Sequence, residues 1–271
     1  LRFSMKEHIY PKPQGSVEDK TGFFSRPVSS SLFCAPQVQN RPVSATLAAM
    51  TLTLLWLAGG AAAYLMGSIP FGFLVARTQG KDIRTLGSGN IGATNVFRSV
   101  SKPLGILTFA LDVLKGFCGV QLIPWAVAAL TRTSYEGMAF PVFCGALAVV
   151  GHNWTCFLGF KGGKGIATSA GLLIGLSPAG VGIAFAVWLA AFLSTRYVSV
   201  ASIAAAAALA VAVWPLHLHA SGAWYPSVLT LLALVAIWKH RSNIARLRAG
   251  TESRFHFGKK GQAQRPAPTE P

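Results

Sequence analysis

Long apolar stretches, separated by short polar loops, limit this chain to a small number of folds. The stretches are residues 47–66, 104–131, 138–152, 166–195, 198–215 and 223–238. A helix needs about 20 apolar residues to cross the hydrocarbon core of a membrane. Only 12% of the 271 residues are charged, about half of the ~25% that is usual in soluble domains. The pattern therefore predicts an all-α membrane protein that crosses the bilayer several times.

The fourth stretch, residues 166–195, is interrupted by Ser177 and Pro178 and allows two topologies. As one span, it would place the basic C-terminal segment outside, although basic segments prefer the cytoplasm. As two short helices, it places the loops 77–103 and 153–165 and the C-terminal segment on one side. The sequence therefore predicts about seven transmembrane helical segments, with the N-terminus outside, the C-terminus inside and three motif loops in the cytoplasm. Neighbouring helices must shelter the short pair, because unpaired backbone groups are costly in lipid.

The two ends of the chain differ from the membrane domain, which we place at residues 46–257. Residues 1–45 contain five prolines and show no sustained helical or strand period. We interpret them as a disordered leader or an over-extended start, so a chain that begins near Met50 should insert and act like the whole. Residues 258–271 are polar and contain proline, which predicts a disordered tail.

The net charge of +16 comes largely from basic residues in the loops and the C-terminal segment. This arrangement is typical of a polytopic helical protein and argues against a nucleic-acid partner. The four cysteines lack C-x-x-C spacing and indicate neither a disulfide framework nor a metal site. They are Cys34, Cys118, Cys144 and Cys156.

The first polar motif, GSGNIGATN at residues 87–95, has the G-x-G-x-x-G spacing of dinucleotide-binding loops. That function also requires a preceding strand, whereas this loop follows a polar segment that leaves a membrane span. Asp112 stands as far beyond the glycines as a ribose-binding carboxylate would. However, it lies within the next apolar stretch, three residues before Lys115. The two residues share a helix face, and we expect them to neutralise each other.

An anion suits the first motif better than a dinucleotide does. Glycines let backbone N–H groups approach an anion closely, while hydroxyls, amides and arginine add donors. The candidate residues are Gly87, Ser88, Gly89, Asn90, Thr94, Asn95 and Arg98. The alternative is an ordinary solvated loop.

The second motif centres on Lys161-Gly162-Gly163-Lys164-Gly165, directly before a predicted helix start. Backbone N–H groups, an ammonium and the helix dipole can converge there on a phosphate. Gly165 replaces the Ser or Thr with which a P-loop binds magnesium. The motif therefore predicts phosphate binding without nucleotide chemistry, and contact with anionic lipid headgroups is the alternative.

The third motif, residues 239–255, follows the last apolar stretch. If it is helical, His240 and Asn243 share one side, while Arg241, Arg246 and Arg248 mark the other faces. By itself, this motif is better explained as a basic helix at the membrane surface.

Together, the three motifs resemble those of the bacterial acyl-phosphate:glycerol-3-phosphate acyltransferases, a family of integral membrane enzymes. The matching segments are GSGNIGATNVFR (87–98), GHNWTCFLGFKGGKGIAT (151–168) and HRSNIARLRAGTE (240–252). Asp112, Lys115 and Gly116 match a shorter element of the family, and Thr155 stands where proline is common. The resemblance covers about seven-tenths of the chain.

The resemblance implies transfer of a fatty acyl group from acyl phosphate to the 1-hydroxyl of glycerol 3-phosphate, giving lysophosphatidic acid and phosphate. This is the first membrane step of phospholipid synthesis, which implies the bacterial inner membrane and a site that faces the cytoplasm. The implied partners are the two substrates and membrane lipids. Because acyl phosphate is already activated, we expect no cofactor, ATP or metal.

The resemblance also implies roles for residues of the motifs. The implied catalytic residues are Ser88, Arg98, Lys164, His240 and Asn243. The implied substrate-binding residues are Gly87, Gly89, Asn90, Thr94, Asn95 (which also orders its loop), Gly162, Gly163, Gly165, Arg241 and Glu252.

The general base stays open at this point. One candidate is His240, because an ordinary histidine pKa lies near neutral pH. We favour a phosphate oxygen of the acyl donor, which would leave the protein to position the substrates and stabilise charge. A covalent acyl intermediate on Ser88 is a third route.

A transporter of phosphorylated metabolites is the rival from another functional class. It would also combine broken spans with cations on the inner side. However, the polar motifs lie in loops on one side rather than at the middle of the bilayer, and the two halves of the sequence do not repeat.

Overall fold

The computed structural model describes residues 43–132 and 137–255, and all regular elements within these ranges are helical. They are α1 (Val43–Ser68), α2 (Phe71–Arg77), α3 (Ala93–Ser99), α4 (Lys102–Val120), α5 (Leu122–Thr131), α6 (Ala139–Asn153), α7 (Ile166–Leu176), α8 (Pro178–Thr195), α9 (Val198–Ser221), α10 (Trp224–Lys239) and α11 (Arg241–Arg248). Two short 3-10 turns, Ile83–Thr85 and Cys156–Leu158, lie between helices. The expected tail, Cys34 and the expected leader lie outside the described residues, except that residues 43–45 belong to α1.

Within the described chain, five segments are long and apolar enough to cross a membrane. They are Leu47–Arg77, Lys102–Thr131, Ala139–Leu158, Pro178–Thr195 and Val198–Ser221. Two shorter apolar helices, α7 and α10, accompany them. The six apolar stretches of the sequence are thus helical, as predicted, and the all-α architecture is confirmed. The count of seven crossings and the orientation stay predictions.

The expected break in the fourth stretch is present at Ser177, where α7 ends and α8 begins. Pro178 occupies the first turn of α8, where its missing N–H is not needed. The Ser177 hydroxyl lies 2.7 Å from Nε2 of His217, and the Tyr225 hydroxyl donates to the carbonyl of Leu176 at 2.9 Å. Polar groups at the break therefore find partners within the protein, as expected of a short helix pair that neighbouring helices shelter.

Two features of the helices differ from the sequence-based expectation. The stretch 104–131 forms two helices, α4 and α5, which meet at Gln121. The Gln121 side chain donates to the carbonyl of Gly175 at 3.1 Å, which gives this polar residue a partner. The loop 77–103 contains α3, a helix of seven residues. Such a short helix has too few residues for a hydrophobic period to reveal it.

The largest apolar core lies among α4, α6, α7, α9 and α10. Val120, Leu172, Leu229 and Tyr225 are fully buried in it. α4 packs along α7, and α9 packs against both α8 and α10. Because α7 begins directly after Gly165, the packing of α7 in this core positions the second motif.

A buried ionic group joins α4 to the ends of α1 and α6. Nζ of Lys115 lies 2.9 Å from Oδ1 of Asp112 and donates to the carbonyl of Ile69 at 2.8 Å. This confirms the pair that the three-residue spacing predicted. His152, at the end of α6, lies with its Nδ1 3.5 Å from the same Asp112 oxygen. All three side chains are buried, so a polar group lies within the packing between α4 and the residues before the second motif.

Candidate functional site

The Asn95 side chain holds the first motif loop in place through hydrogen bonds. Its Nδ2 donates to the carbonyls of Leu86 and Asn90, each at 2.9 Å. Its Oδ1 accepts from the backbone N–H of Ser88 at 3.2 Å and from the hydroxyl of Ser99 at 3.1 Å. The side chain is buried. Asn95 therefore orders the loop, as the family resemblance implied.

The glycines of this loop allow the chain to turn tightly around Asn95. Gly87 and Gly89 have φ of +56° and +67°, in the left-handed region that other residues adopt at a cost. A Cβ at Gly87 would also lie 2.3 Å from the Asn95 amide oxygen. Ser88, between the two glycines, is exposed, and so is Thr94. Their side chains are thus presented outward from an ordered loop.

The second motif loop packs closely against the end of α6. The N–H of Gly163 donates to the carbonyl of His152 at 3.0 Å. Gly165 ends the loop with φ of +81°, and α7 follows at once. Lys161 is exposed, whereas Lys164 is partly buried. The two lysines of the motif therefore lie in different environments.

Lys164 points from the second motif to the third, where Nζ donates a hydrogen bond to Oδ1 of Asn243. Burial lowers the pKa of Lys164 to about 8, because a desolvated ammonium is disfavoured. The charge of Glu252 opposes the effect of burial, while the charges of Arg246, Arg98 and Lys239 add to it. The ammonium thus carries its charge at neutral pH in surroundings with more positive than negative charge.

The third motif is helical, and α11 presents Asn243 to Lys164. The Asn243 amide also donates to Oε1 of Glu252 at 2.7 Å, and Nε of Arg246 donates to Oε2 of Glu252 at 2.8 Å. Burial acts to raise the pKa of Glu252, but hydrogen bonds, among them those from Asn243 and Arg246, outweigh it and hold the pKa below its ordinary value. The interpretation that Arg246 faces away was wrong. It lies three residues after Asn243, and residues at that spacing are neighbours on a helix surface.

Arg98 connects the first motif to the same group. Its Nη2 donates to the backbone carbonyl of Ser253 at 3.2 Å, just beyond Glu252. Burial lowers the pKa of Arg98, and the charge of Glu252 opposes this effect. We call Arg98, Lys164, Asn243, Arg246 and Glu252 the cationic cluster. It combines three cations with one carboxylate, which leaves an excess of positive charge suited to a phosphate group.

His240 lies beside the cluster at the junction of α10 and α11, and its side chain is buried. Its Nδ1 lies 2.8 Å from the carbonyl of Ala236. A carbonyl oxygen only accepts, so Nδ1 carries the proton and Nε2 of the neutral ring keeps its lone pair. Burial, together with the charge of Lys164, lowers the pKa of His240 to about 4. The ring is therefore neutral at pH 7 and a weak base.

The family model described as "Glycerol-3-phosphate acyltransferase" matches residues 45–250. The chain belongs to the glycerol-3-phosphate acyltransferase family. The relative from Desulforudis audaxviator is 46% identical over 199 residues, which are 72% of this chain and 93% of the relative. The relative from Geobacter metallireducens is 48% identical over 209 residues, which are 76% of this chain and 99% of the relative. Both are glycerol-3-phosphate acyltransferases.

Solved structures agree with this assignment. One is the crystal structure of PlsY (YgiH), an integral membrane glycerol 3-phosphate acyltransferase, in its glycerol 3-phosphate form. Its sequence is 40% identical to this chain, the TM-score is 0.62, and the match covers 74% of this chain and 96% of that one. The lysophosphatidic acid form of PlsY is 41% identical in sequence, with a TM-score of 0.59, and this match covers 74% of this chain and 95% of that one. The chain is thus an acyltransferase of the PlsY type, an integral membrane enzyme of phospholipid synthesis.

The structure does not bring every predicted site residue of the acyltransferase to the cationic cluster. Arg241 is exposed, with its guanidinium 4.3 Å from the ring centroid of Trp238. Ser88 and Thr94 are exposed on the first loop. Among the contacts described for this part of the chain, none joins these side chains to Lys164. Their roles stay predictions.

Two site contacts of the acyltransferase were missed by the sequence analysis. Lys239 donates from Nζ to the carbonyl of Asn153 at 2.8 Å and lies 4.9 Å from the ring centroid of Trp154, so it ties α10 to the end of α6. Ser253 contributes through its backbone carbonyl. A backbone carbonyl carries no signature in the sequence, because every residue has one. Lys239 could have been chosen as a candidate, since it is a basic residue directly before His240.

Proposed function

We propose that this acyltransferase uses acyl phosphate as its donor. The 1-hydroxyl oxygen of glycerol 3-phosphate attacks the acyl carbonyl carbon, the bond from that carbon to the phosphate oxygen breaks, and lysophosphatidic acid and phosphate leave. The single observation that supports this reaction is the convergence of the three motifs: Lys164 of the second bonds to Asn243 of the third, and Arg98 of the first donates to the Ser253 carbonyl just beyond Glu252. Both substrates carry a phosphate, and the cationic cluster offers three cations close together.

The cluster supports catalysis by positioning and by charge stabilisation. A mixed anhydride needs no further activation, so the protein must align the hydroxyl with the acyl carbon and balance the charge on the leaving phosphate. Arg98 and Lys164 supply charge-assisted hydrogen bonds for this task. Asn243 and Glu252 hold the cations in place.

The proton of the attacking hydroxyl passes, in our proposal, to an oxygen of the leaving phosphate. His240, with its pKa lowered to about 4, matches a neutral working pH poorly as a base. A phosphate group with one substituent has its second pKa near 6, which is the better match. His240 then acts as a neutral group beside the cationic cluster, and an acyl intermediate on Ser88 is not needed.

Purified protein in detergent, supplied with palmitoyl phosphate and glycerol 3-phosphate, tests the proposed donor. We expect lysophosphatidic acid and inorganic phosphate in equal amounts. Palmitoyl-coenzyme A in place of palmitoyl phosphate is the comparison and should give no product. Product from the thioester alone would overturn the proposed donor, and flux of glycerol 3-phosphate into liposomes without acylation would support transport instead.

The pH dependence of kcat/KM should report the charge of Lys164. The ammonium is present below a pKa of about 8 and is lost above it, so kcat/KM should fall on the alkaline side, approaching a tenfold loss per pH unit. Substrate phosphates are already doubly ionised there. Lys164→Arg carries a cation that does not titrate in this range, so its alkaline fall should disappear. Lys161→Arg is the control, and a fall that persists unchanged in Lys164→Arg would contradict the assignment.

We also propose that the three motifs face the cytoplasm of the bacterial inner membrane. Single cysteines at Ser88, Lys161 and Ser242, which are all exposed, should be labelled from the cytoplasmic side only in an otherwise cysteine-free protein. Ala223, exposed between α9 and α10, should be labelled from the opposite side. Labelling of Ser242 from outside would contradict the proposed orientation.

A further inference from the structure

The five residues that follow the family match, 251–255, form a segment that we call the C-terminal strap. The N–H of Thr251 donates to the carbonyl of Arg246 at 2.8 Å, which anchors the strap to α11. At the other end, the N–H of Phe255 donates to the carbonyl of Arg196 at 2.8 Å, between α8 and α9. The strap is therefore held at both ends by the backbone.

Phe255 adds a side-chain anchor between two helices. Its ring centroid lies 5.9 Å from that of Phe97 in α3 and 5.4 Å from that of Phe192 in α8, the second at an interplanar angle of 70°. Both distances suit favourable aromatic contacts. Phe97 immediately precedes Arg98, so this contact fixes the strap against the helix that carries Arg98.

The middle of the strap faces the cationic cluster. Glu252 bonds to Asn243 and Arg246, and the Ser253 carbonyl accepts from Nη2 of Arg98. A guanidinium has five N–H donors in a rigid plane. A carbonyl that holds one of them sets the orientation of the plane and leaves other donors for a phosphate.

We infer that Phe255 is a positioning residue of the acyltransferase, which orients the Arg98 guanidinium toward substrate phosphate through the Ser253 carbonyl. This inference rests on the phosphate-binding role proposed for Arg98. The strap begins where the match to the family model ends, at residue 250. Glu252 still belongs to the third motif, whereas the action proposed for Phe255 runs through ring packing and a backbone carbonyl. A shift of the reacting groups by about 1 Å can lower the rate about 100-fold, so loss of the Phe255 ring should be measurable.

A double-mutant cycle in the full-length protein tests the inference. Phe255→Ala should lower kcat/KM about tenfold or more, whereas Phe255→Tyr, which keeps the ring, should restore most of the activity. Arg98→Lys keeps the charge but loses the planar fork, and it should be strongly impaired. In the Arg98→Lys background, Phe255→Ala should cost less than about twofold, because groups that act through one another are not additive.

The neighbouring substitution Arg254→Ala is the matched control. Arg254 is exposed, and its guanidinium lies 5.9 Å from the ring centroid of Tyr197. It should leave kcat/KM unchanged in both backgrounds, and thermal unfolding in detergent should show that each variant is folded.

The outcomes separate this inference from the proposed function. Equal losses from Phe255→Ala with and without Arg98→Lys would show that Phe255 acts elsewhere, and full activity of Phe255→Ala would also overturn the inference. In both cases an impaired Arg98→Lys enzyme would leave the role of Arg98 intact. A fully active Arg98→Lys enzyme would remove both the proposed role of Arg98 and the positioning role of Phe255.

Discussion

Replacement of Lys164 by alanine is expected to lower kcat/KM about 10- to 150-fold. The loss corresponds to one charge-assisted hydrogen bond to phosphate in a partly dry site, about 1.5–3 kcal/mol, converted by the transition-state relation. The same change leaves the Asn243 amide oxygen without its ammonium partner. The matched control is Lys161→Ala, because Lys161 belongs to the same motif but is exposed.

Lys161→Ala should remove only a headgroup contact, about 1 kcal/mol or less. Because a headgroup contact acts on membrane association and not on the transition state, Lys161→Ala should keep near-normal kcat/KM once inserted, and we expect Lys164→Ala to be impaired about tenfold or more relative to it. The measurement is kcat/KM for both substrates at equal amounts of membrane-inserted protein. Equal losses in the two variants, or a larger loss at Lys161, would place the phosphate elsewhere on the motif.

Replacement of Gly162 by alanine is expected to have a comparable or larger effect without removing any charge. A Cβ at this position would lie 2.1 Å from the backbone carbonyl oxygen of His152 and 2.7 Å from the backbone of Asn153. Backbone atoms cannot rotate away as a side chain can, so the loop must move by about 1 Å and take Lys164 with it. Misplacement on that scale costs about 100-fold in rate.

Gly182→Ala is the control for the added methyl group. Gly182 lies within α8, and no described heavy atom lies within 4 Å of its Cβ position. Alanine there should be neutral or stabilise the helix by about 0.5–1 kcal/mol. Activity and thermal unfolding in detergent should be measured for both variants. A Gly162→Ala enzyme with near-normal kcat/KM would show that the loop tolerates a shift, which would weaken the argument that Lys164 must be held in one place.

The helical architecture could be predicted from the sequence, because each element leaves a local pattern. The apolar stretches, the break at Ser177 and the pair formed by Asp112 and Lys115 all follow from hydropathy, from proline or from a three-residue spacing. From the residue patterns alone, without the family resemblance, the site could be predicted only as three segments on one side of the membrane. Lys164 and Asn243 are 79 residues apart in the chain, and periodicity carries no information on contacts at such a separation.

Other properties of the site depend on burial and could not be inferred from sequence. The lowered pKa of His240 arises from burial and from the charge of Lys164, which another loop supplies. The side on which Arg246 lies was misjudged although its spacing from Asn243 pointed to the correct face. The contact at Ser253 is made by a backbone carbonyl, which every residue type carries. Only the structure reveals such a contact.

The order in which the cationic cluster appears along the chain has a consequence for biosynthesis. Arg98 and Lys164 emerge from the ribosome early, whereas Asn243, Arg246 and Glu252 belong to the last described helix and the segment after it. Until those residues are made, the early cations have neither their carboxylate nor their amide partner. The nascent enzyme therefore makes all the apolar helices from α1 to α10 before the cationic cluster can assemble, and acyl transfer has to wait until α11 and the segment after it have been made.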